Sequence, residues 1–327
     1  MRVATPVGSV NVQRWDGLDD IPDDFGPCVV TIGVFDCVHR GHATLISRAV
    51  AAARARGVPC VVMTFDPHPL AVLAPAYAPV LLASVARRVD LLGEVGVDAT
   101  LVLPFTPELA AVEADAFVRE ILVAQLHAEL VVVGANFTFG RGGVGTIATL
   151  AEVGAASGLA VEPVELLDVG AGVVSASRIR ALLADGEVEQ VADLLGHPFR
   201  ADGVVVRGEQ RGRGLGYPTA NLDMAPDAAV PADGVYAGVV LRLSADGSQA
   251  GATRLGVGAI SVGTNPTFDG QHRTVEAFIL DFDADLYGDM LGVEFAHRLR
   301  GMVRFDSIDD LIAQMDADVA QARKLVT

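Results

Sequence analysis

The chain has 327 residues, 51% of them hydrophobic and 35 of them glycine, and 24 Lys+Arg against 41 Asp+Glu give a formal charge of −17. That length predicts two domains, and the acidic balance argues against general nucleic-acid or membrane-surface binding, so any polyphosphate must be held by local cations, backbone amides or a metal ion. Three cysteines without ligand spacing, a first segment lacking the apolar core of a signal peptide and no bilayer-length uncharged apolar run predict a cytoplasmic chain without a zinc site, disulfide framework or membrane span.

The first half alternates two periodicities. Strands are predicted at Cys28–Val34, Pro59–Phe65, Ala99–Phe105, Leu130–Phe137 and Leu159–Leu166, with helical patterns at Ala43–Arg56, Ser84–Val95, Pro107–Leu126 and Ile147–Ser157 between them. Such alternation predicts a parallel sheet with helices on both faces. Two short helices are expected next, at Ser177–Ala184 and Glu187–Leu195. After Gly196-His197-Pro198 the pattern changes to short strands near Gly203–Val206, Gly234–Leu243, Leu255–Val262, Val275–Asp281 and Val293–Leu299, divided by turn residues. This reads as an antiparallel barrel or sandwich. A closing helix runs from Ser307 to about Leu325, with Ser307 as N-cap and Asp309 and Asp310 in the first turn. The domain boundary falls near residue 197, dividing the chain into 1–196 and 197–327.

The stretch Ile32–His42, I-G-V-F-D-C-V-H-R-G-H, takes the first predicted strand into the first helix and brings His39 and His42 to that corner. In an open α/β sheet ligands bind at the carboxyl ends of strands, and a helix amino terminus favours phosphate. A histidine pair at this spacing also reads as polar surface. Two further strand ends are unusual, however: T-F-D-P-H-P at 64–69, and G-A-N-F-T-F-G-R-G-G from Gly134, with Asn136 at its start and Arg141 among glycines. Ser175-Ala176-Ser177-Arg178-Ile179-Arg180 adds two hydroxyls and two cations at a helix start, which reads either as an N-cap or as a polyphosphate grip.

In the second half, Arg207 to Tyr217 is a glycine-rich loop with interleaved arginines, including Gly212, Gly214 and Gly216. Pro218-Thr219-Ala220-Asn221 follows, and on an extended segment Thr219 and Asn221 point the same way. A hydroxyl and a carboxamide so placed suit Mg²⁺ and phosphate oxygens, or a turn with local hydrogen bonds. Glu276 is the polar exception in the apolar run Val275–Leu280, on a face shared with Phe278 and Leu280. A carboxylate there needs a partner or a task.

I-G-V-F-D-C-V-H-R-G-H, T-F-D-P-H-P, G-A-N-F-T-F-G-R-G-G and S-A-S-R-I-R, in that order, resemble the nucleotidyltransferase motifs of bacterial bifunctional riboflavin kinase/FMN adenylyltransferases. G-R-G-L-G-Y-P-T-A-N-L, G-V-Y-A-G, G-T-N-P-T-F, T-V-E-A-F-I-L-D-F-D-A-D-L-Y-G and L-R resemble the kinase module of the same family. The resemblance covers about residue 28 to 325. It implies a Rossmann-like α/β HxGH nucleotidyltransferase domain followed by an antiparallel β-barrel kinase domain with a C-terminal helix. It also implies two reactions: riboflavin and ATP to FMN, then FMN and ATP to FAD and pyrophosphate.

Carried over residue by residue, His39 and His42 would contact the ATP phosphates and the transition state. Gly33 and Phe35 would let the nucleotide approach the backbone, Asn136 would hold substrate phosphate, and Ser175, Ser177 and Arg178 would grip the polyphosphate. In the kinase half Glu276 would be the base, Thr219 and Asn221 would hold Mg²⁺, Gly212, Gly214 and Gly216 would wrap the nucleotide, and Asn265, Thr267 and Arg300 would border the flavin. The implied partners are small molecules only (ATP, riboflavin and FMN), with no nucleic acid or membrane; a homo-oligomer stays open. The chain departs from the family pattern at Cys37, where glycine is usual, and at Ala176, where a hydroxyl is usual. The alternatives are therefore a riboflavin kinase with an impaired adenylyltransferase half, a flavin- or nucleotide-sensing protein, or an HxGH nucleotidyltransferase with another acceptor.

Overall fold

The structure is a computed structural model that describes residues 5–6, 12–165, 172–208, 214–267 and 270–326, leaving aside the side chains of 5–6, 264–267 and 270–272. It divides into two compact units, one of Val10–Pro79 and Arg88–Ser175, the other of Met1–Ser9, Val80–Arg87 and Ala176–Thr327.

The first unit is a six-stranded, all-parallel sheet. Its strands are β1 (Gln13–Trp15), β2 (Cys28–Ile32), β3 (Cys60–Asp66), β4 (Ala99–Pro104), β5 (Ala128–Gly134) and β6 (Ala160–Val164), in the order β1-β4-β3-β2-β5-β6. Strands covered on both faces must be apolar on both, and every residue of β2 is buried. Val30, Ile32, Met63, Leu101 and Val131 pack on one face with Phe117, Ile121 and Leu150. Val29, Cys60, Leu130 and Val132 pack on the other with Ala49, Ala52 and Ala53 of helix α1 (Arg40–Arg56). Gly57 ends α1 in the left-handed conformation (φ 70°), its N–H returning to the carbonyls of Ala53 and Arg54.

Two features depart from the sequence reading. Strand β1 was not anticipated, being only three residues long. The helix expected over Pro107–Leu126 is broken: a turn at Pro107–Ala110 is followed by Ala114–Ala116 and a wider π-helical stretch, Phe117–Gln125. At the break the Val112 carbonyl accepts from the Arg141 N–H (2.8 Å) rather than from the helix, and a Cβ on Gly140 would lie 2.7 Å from Ala114 Cα. The later glycine-rich loop therefore docks where the helix would have continued. Helices α2 (Val85–Val95) and α3 (Ile147–Ala155) form as expected.

The second unit begins with helices α4 (Ala176–Asp185) and α5 (Val188–Leu195). Six antiparallel strands follow: β7 (Phe199–Val206), β8 (Ala220–Asp223), β9 (Gly234–Arg242), β10 (Thr253–Thr267), β11 (Gly270–Ile279) and β12 (Met290–Arg300). Their order β10-β9-β12-β7-β8-β11, with β10 also paired to β11, closes a barrel, and a two-residue strand at Thr5–Pro6 adds to β10. Closure removes the exposed sheet edges an open sandwich would leave. Phe199 and Tyr236 are fully buried, each in ring contact with the equally buried Phe295. Helix α6 (Ile308–Leu325) packs on β9, β10 and β12, and its N-cap Ser307 accepts from the Asp310 N–H at 3.1 Å.

Candidate active sites

Strand order decides where the α/β unit presents its loops. β2 lies between β3 and β5, so chain direction across the sheet reverses between β2 and β5. At such a switch point the loops leaving the carboxyl ends part and open a crevice. The loop after β2 carries His39 and His42, and the loop after β5 carries Asn136, whose side chain is exposed.

The β2 loop is sharply folded. Phe35 (φ 50°), Cys37 (φ 60°) and Val38 (φ 38°) all take positive φ, a region that disfavours side chains and is rare for a β-branched residue. Cys37 is buried, so its thiol lies within the corner rather than on the surface. Phe35 folds back and fills the space over Gly33, where a Cβ would lie 2.9 Å from its ring. In this structure the bare backbone of Gly33 thus serves Phe35, which also meets the His42 ring edge-on at 5.1 Å.

His39 is the N-cap of α1. Its Nδ1 accepts from the His42 N–H at 3.2 Å, and the two imidazoles stack with centroids 3.6 Å apart. Burial pulls the His39 pKa from 6.5 to about 4. The His42 pKa falls well below the same ordinary value through burial, then through the charges of His39 and Arg88. Both rings are accordingly neutral near pH 7. With Nδ1 accepting, His39 carries its proton on Nε2 and can offer it as a donor. His42 is partly exposed as a residue, while its Nδ1 is enclosed without a hydrogen-bond partner among the described residues.

Beneath this corner lies a residue the sequence reading missed. Arg88 is 1% exposed and donates from Nη1 to Thr64 Oγ1 (3.1 Å) and to the Phe65 carbonyl (2.9 Å). The available signal was a cation among the apolar positions of α2, one turn before Leu91 and Leu92. Ser175 ends the α/β unit, whereas Ser177 and Arg178 lie in the first turn of α4, in the barrel unit.

In the barrel, register rather than proximity in sequence assembles a second group. Asn221 on β8 is directly opposite Glu276 on β11, and the Thr219 hydroxyl donates to Glu276 Oε2 at 3.1 Å. Val275, Ala277 and Ile279 are buried, with Ala277 and Ile279 also lining the cavity beside this group, and Glu276 alternates to the other face with Phe278. Thr219 and Asn221 line a cavity of about 380 Å³, whose far wall is the Phe282–Tyr287 loop with Asp283 and Asp285. These residues belong to the motif T-V-E-A-F-I-L-D-F-D-A-D-L-Y-G. Gly208 completes the cradle: a Cβ there would lie 2.4 Å from Asn221 Oδ1. The oxygens of Thr219, Asn221 and Glu276 form a hard donor set of the kind Mg²⁺ takes.

The other expected positions are placed as follows. Gly214 and Gly216 face open space, Gly216 with φ 89°, and Gly212 lies outside the described residues. The backbones of Asn265 and Thr267 pair with His272 and Gly270 across β10 and β11; their side chains are outside what is described. Arg300 is committed to Asp318 of α6, with Nε at 3.0 Å from Oδ1 and Nη2 at 2.7 Å from Oδ2.

Two family models match the chain in succession, FAD synthetase over residues 21–178 and riboflavin kinase over 195–326. The chain is 36% identical over 297 residues to the bifunctional riboflavin kinase/FMN adenylyltransferase of Escherichia coli K12, covering 91% of this chain and 92% of the relative. Against the protein of that name from Pseudomonas fluorescens it is 36% identical over 315 residues, covering 96% and 98%.

The chain belongs to the bifunctional riboflavin kinase/FMN adenylyltransferase family.

A solved chain from Streptococcus pneumoniae aligns with this family member at a TM-score of 0.82 and 35% identity, covering 95% of this chain and 98% of that one. That chain is described as a macrolide-efflux protein. Among the described residues of this family member, no helix is long and apolar enough to cross a membrane.

Proposed function

We propose that this chain makes FAD from riboflavin in two steps, phosphorylating riboflavin with ATP to give FMN and then transferring AMP from a second ATP to FMN with release of pyrophosphate. The observation that carries the reading is that each family match overlies its own group of polar side chains, the His39–His42 corner in one and the Thr219–Asn221–Glu276 group in the other. We take the functional boundary to lie near residue 197, close to where the kinase match begins. The three buried free thiols suit a reducing compartment, and we assign the chain to the cytoplasm.

The two half-reactions make different demands. In adenylyl transfer an FMN phosphate oxygen attacks the α-phosphorus of ATP, forming that P–O bond as the bond to pyrophosphate breaks. The nucleophile is already ionised near neutral pH, so alignment and charge stabilisation do the work. His39 offers its Nε2–H, His42 lines the same path, and the first N–H groups of α1 add donors. Asn136 at the neighbouring strand end would hold phosphate, with Ser175 gripping the polyphosphate.

In the kinase step the riboflavin 5′-hydroxyl must lose a proton as it attacks the γ-phosphorus, forming that P–O bond as the bond to the departing ADP breaks. Glu276 accepts that proton, and the Thr219 hydroxyl holds one carboxylate oxygen in place. Thr219 and Asn221 would hold Mg²⁺, which when bound neutralises charge on the phosphates. Gly214 and Gly216 leave the nucleotide-facing loop free of side chains, and Asn265, Thr267 and Arg300 would border the flavin.

Riboflavin, ATP and Mg²⁺ incubated with the purified chain, with products separated by chromatography, tests the reading. FAD is the expected end product. FMN alone would favour the rival of a kinase with an impaired transferase half, and no conversion would sink both enzymatic readings.

A further inference from the structure

Among the described residues Arg88 heads the fully buried side chains by volume, and neither half-reaction gives it a task. A Leu or Met would fill the same space without desolvating a charge, so packing does not account for it.

Its contacts do. Arg88 Nη1 holds the Thr64 hydroxyl at 3.1 Å and the Phe65 carbonyl at 2.9 Å, both at the carboxyl end of β3. The Thr64 hydroxyl in turn donates to the Val34 carbonyl at 2.9 Å. Val34 is the residue before Phe35, where the run of positive φ begins. One guanidinium thereby ties the end of β3 to the start of the corner that leaves the adjacent strand β2. Burial lowers the Arg88 pKa from its ordinary value, and Asp36, Asp66 and Cys37 oppose that fall; a guanidinium stays protonated in proteins. Phe35, Cys37 and Val38 hold unfavourable backbone angles only if their surroundings over-determine them, and the Arg88–Thr64–Val34 relay is such a constraint immediately before the segment's first residue.

We propose that Arg88 is a positioning residue for adenylyl transfer, which fixes through Thr64 and Val34 the corner carrying His39 and His42 without itself touching the phosphates. This rests on the assignment of that corner as the site of AMP transfer.

The test uses the full chain, with thermal unfolding of each variant reporting whether the α/β unit is intact and riboflavin phosphorylation reporting the same for the barrel. Arg88→Met is expected to lower kcat for FMN to FAD by about 100-fold, with KM for ATP moving less than about 3-fold, as misplacement of a reacting group does. Riboflavin phosphorylation stays unchanged. Arg88→Lys, which keeps the charge and one donor direction, recovers about tenfold of the loss, and Thr64→Val, which breaks the relay alone, costs about tenfold in kcat. An Arg88→Met chain that makes FAD at the full rate overturns the proposal. So does one whose KM for ATP rises with kcat intact, because that marks a direct grip on ATP. Should Arg88→Met fail to fold, Thr64→Val decides: full kcat overturns the relay, and a selective loss supports it. His42→Asn separates the two layers. Full FAD formation there removes the site assignment itself, whereas loss there beside a fully active Arg88→Met removes only the positioning role.

Discussion

The Thr219 hydroxyl meets Glu276 Oε2 at 3.1 Å, with Asn221 facing Glu276 across the β8–β11 pair. The carboxylate is thus anchored on one oxygen while the strand beside it carries the cavity wall. As the proposed base, Glu276 would serve only the step in which a hydroxyl loses a proton. Glu276→Gln or Glu276→Ala should therefore lower FMN formation by at least about 100-fold, the scale of general-base catalysis. FMN-to-FAD conversion should stay near the unaltered rate when each step is assayed with its own substrate. Joint loss in a folded variant would contradict separate sites.

Acid should weaken the α/β unit in a defined window. Folding lowers the His39 pKa from 6.5 to about 4. Between those values the unfolded chain binds a proton that the folded chain excludes, so stability falls as pH drops from about 6.5 toward 4 and is fully present above 6.5. The shift corresponds to about 3 kcal/mol at most, and His42, also held neutral, acts in the same direction. Thermal unfolding followed between pH 7.5 and 5 should show the decline, and His39→Gln should flatten it. An unchanged slope in that variant would remove His39 as the cause.

The sequence disclosed the sheet, the helices on both faces and the change to a β-rich half because burial imposes periodicity. β2 shows this most plainly, being apolar at four of five positions and buried throughout. Periodicity is silent where contacts are long-range. Nothing local marks Val112 as the place where the Arg141 N–H interrupts a helix, or Arg88 as the cation under a loop fifty residues earlier. Glu276 was legible because a carboxylate in an apolar strand is out of place, but its alignment with Asn221 is a matter of register. Gly33 was read as open backbone for a nucleotide, and in this structure Phe35 fills that opening.

Cys37 replaces the usual glycine at φ 60° and is buried. A side chain in that conformation costs about 1 kcal/mol relative to glycine. Comparing Cys37→Gly with Cys37→Ala isolates the backbone effect, since both remove the sulfur and only Ala keeps the Cβ. The Gly variant should be the more stable by about 1 kcal/mol, read from chemical denaturation. FAD formation by Cys37→Gly should equal or exceed that of the unaltered chain. An unchanged rate would mean that Cys37 is no handicap to the transferase, and a lower rate that the thiol contributes to the corner.

The attachment of α6 to the barrel offers the last prediction. Arg300 at the end of β12 binds Asp318 through Nε and Nη2, and Gln314 Nε2 adds a third donor to Asp318 at 2.9 Å. The side chains are 19% and 6% exposed, so both charges are largely desolvated. Such a pair can be matched by an apolar pair of similar shape, but losing one partner strands the other. Asp318→Ala should therefore destabilise the barrel by about 3 kcal/mol, lowering its unfolding temperature. The double variant Asp318→Leu with Arg300→Met should recover much of that loss, because neither charge is then left buried. If Asp318→Ala alone were neutral, the pair would be a solvent-screened contact in solution. FMN-to-FAD conversion should be unaffected by either variant at temperatures where both stay folded, since neither residue belongs to the α/β unit.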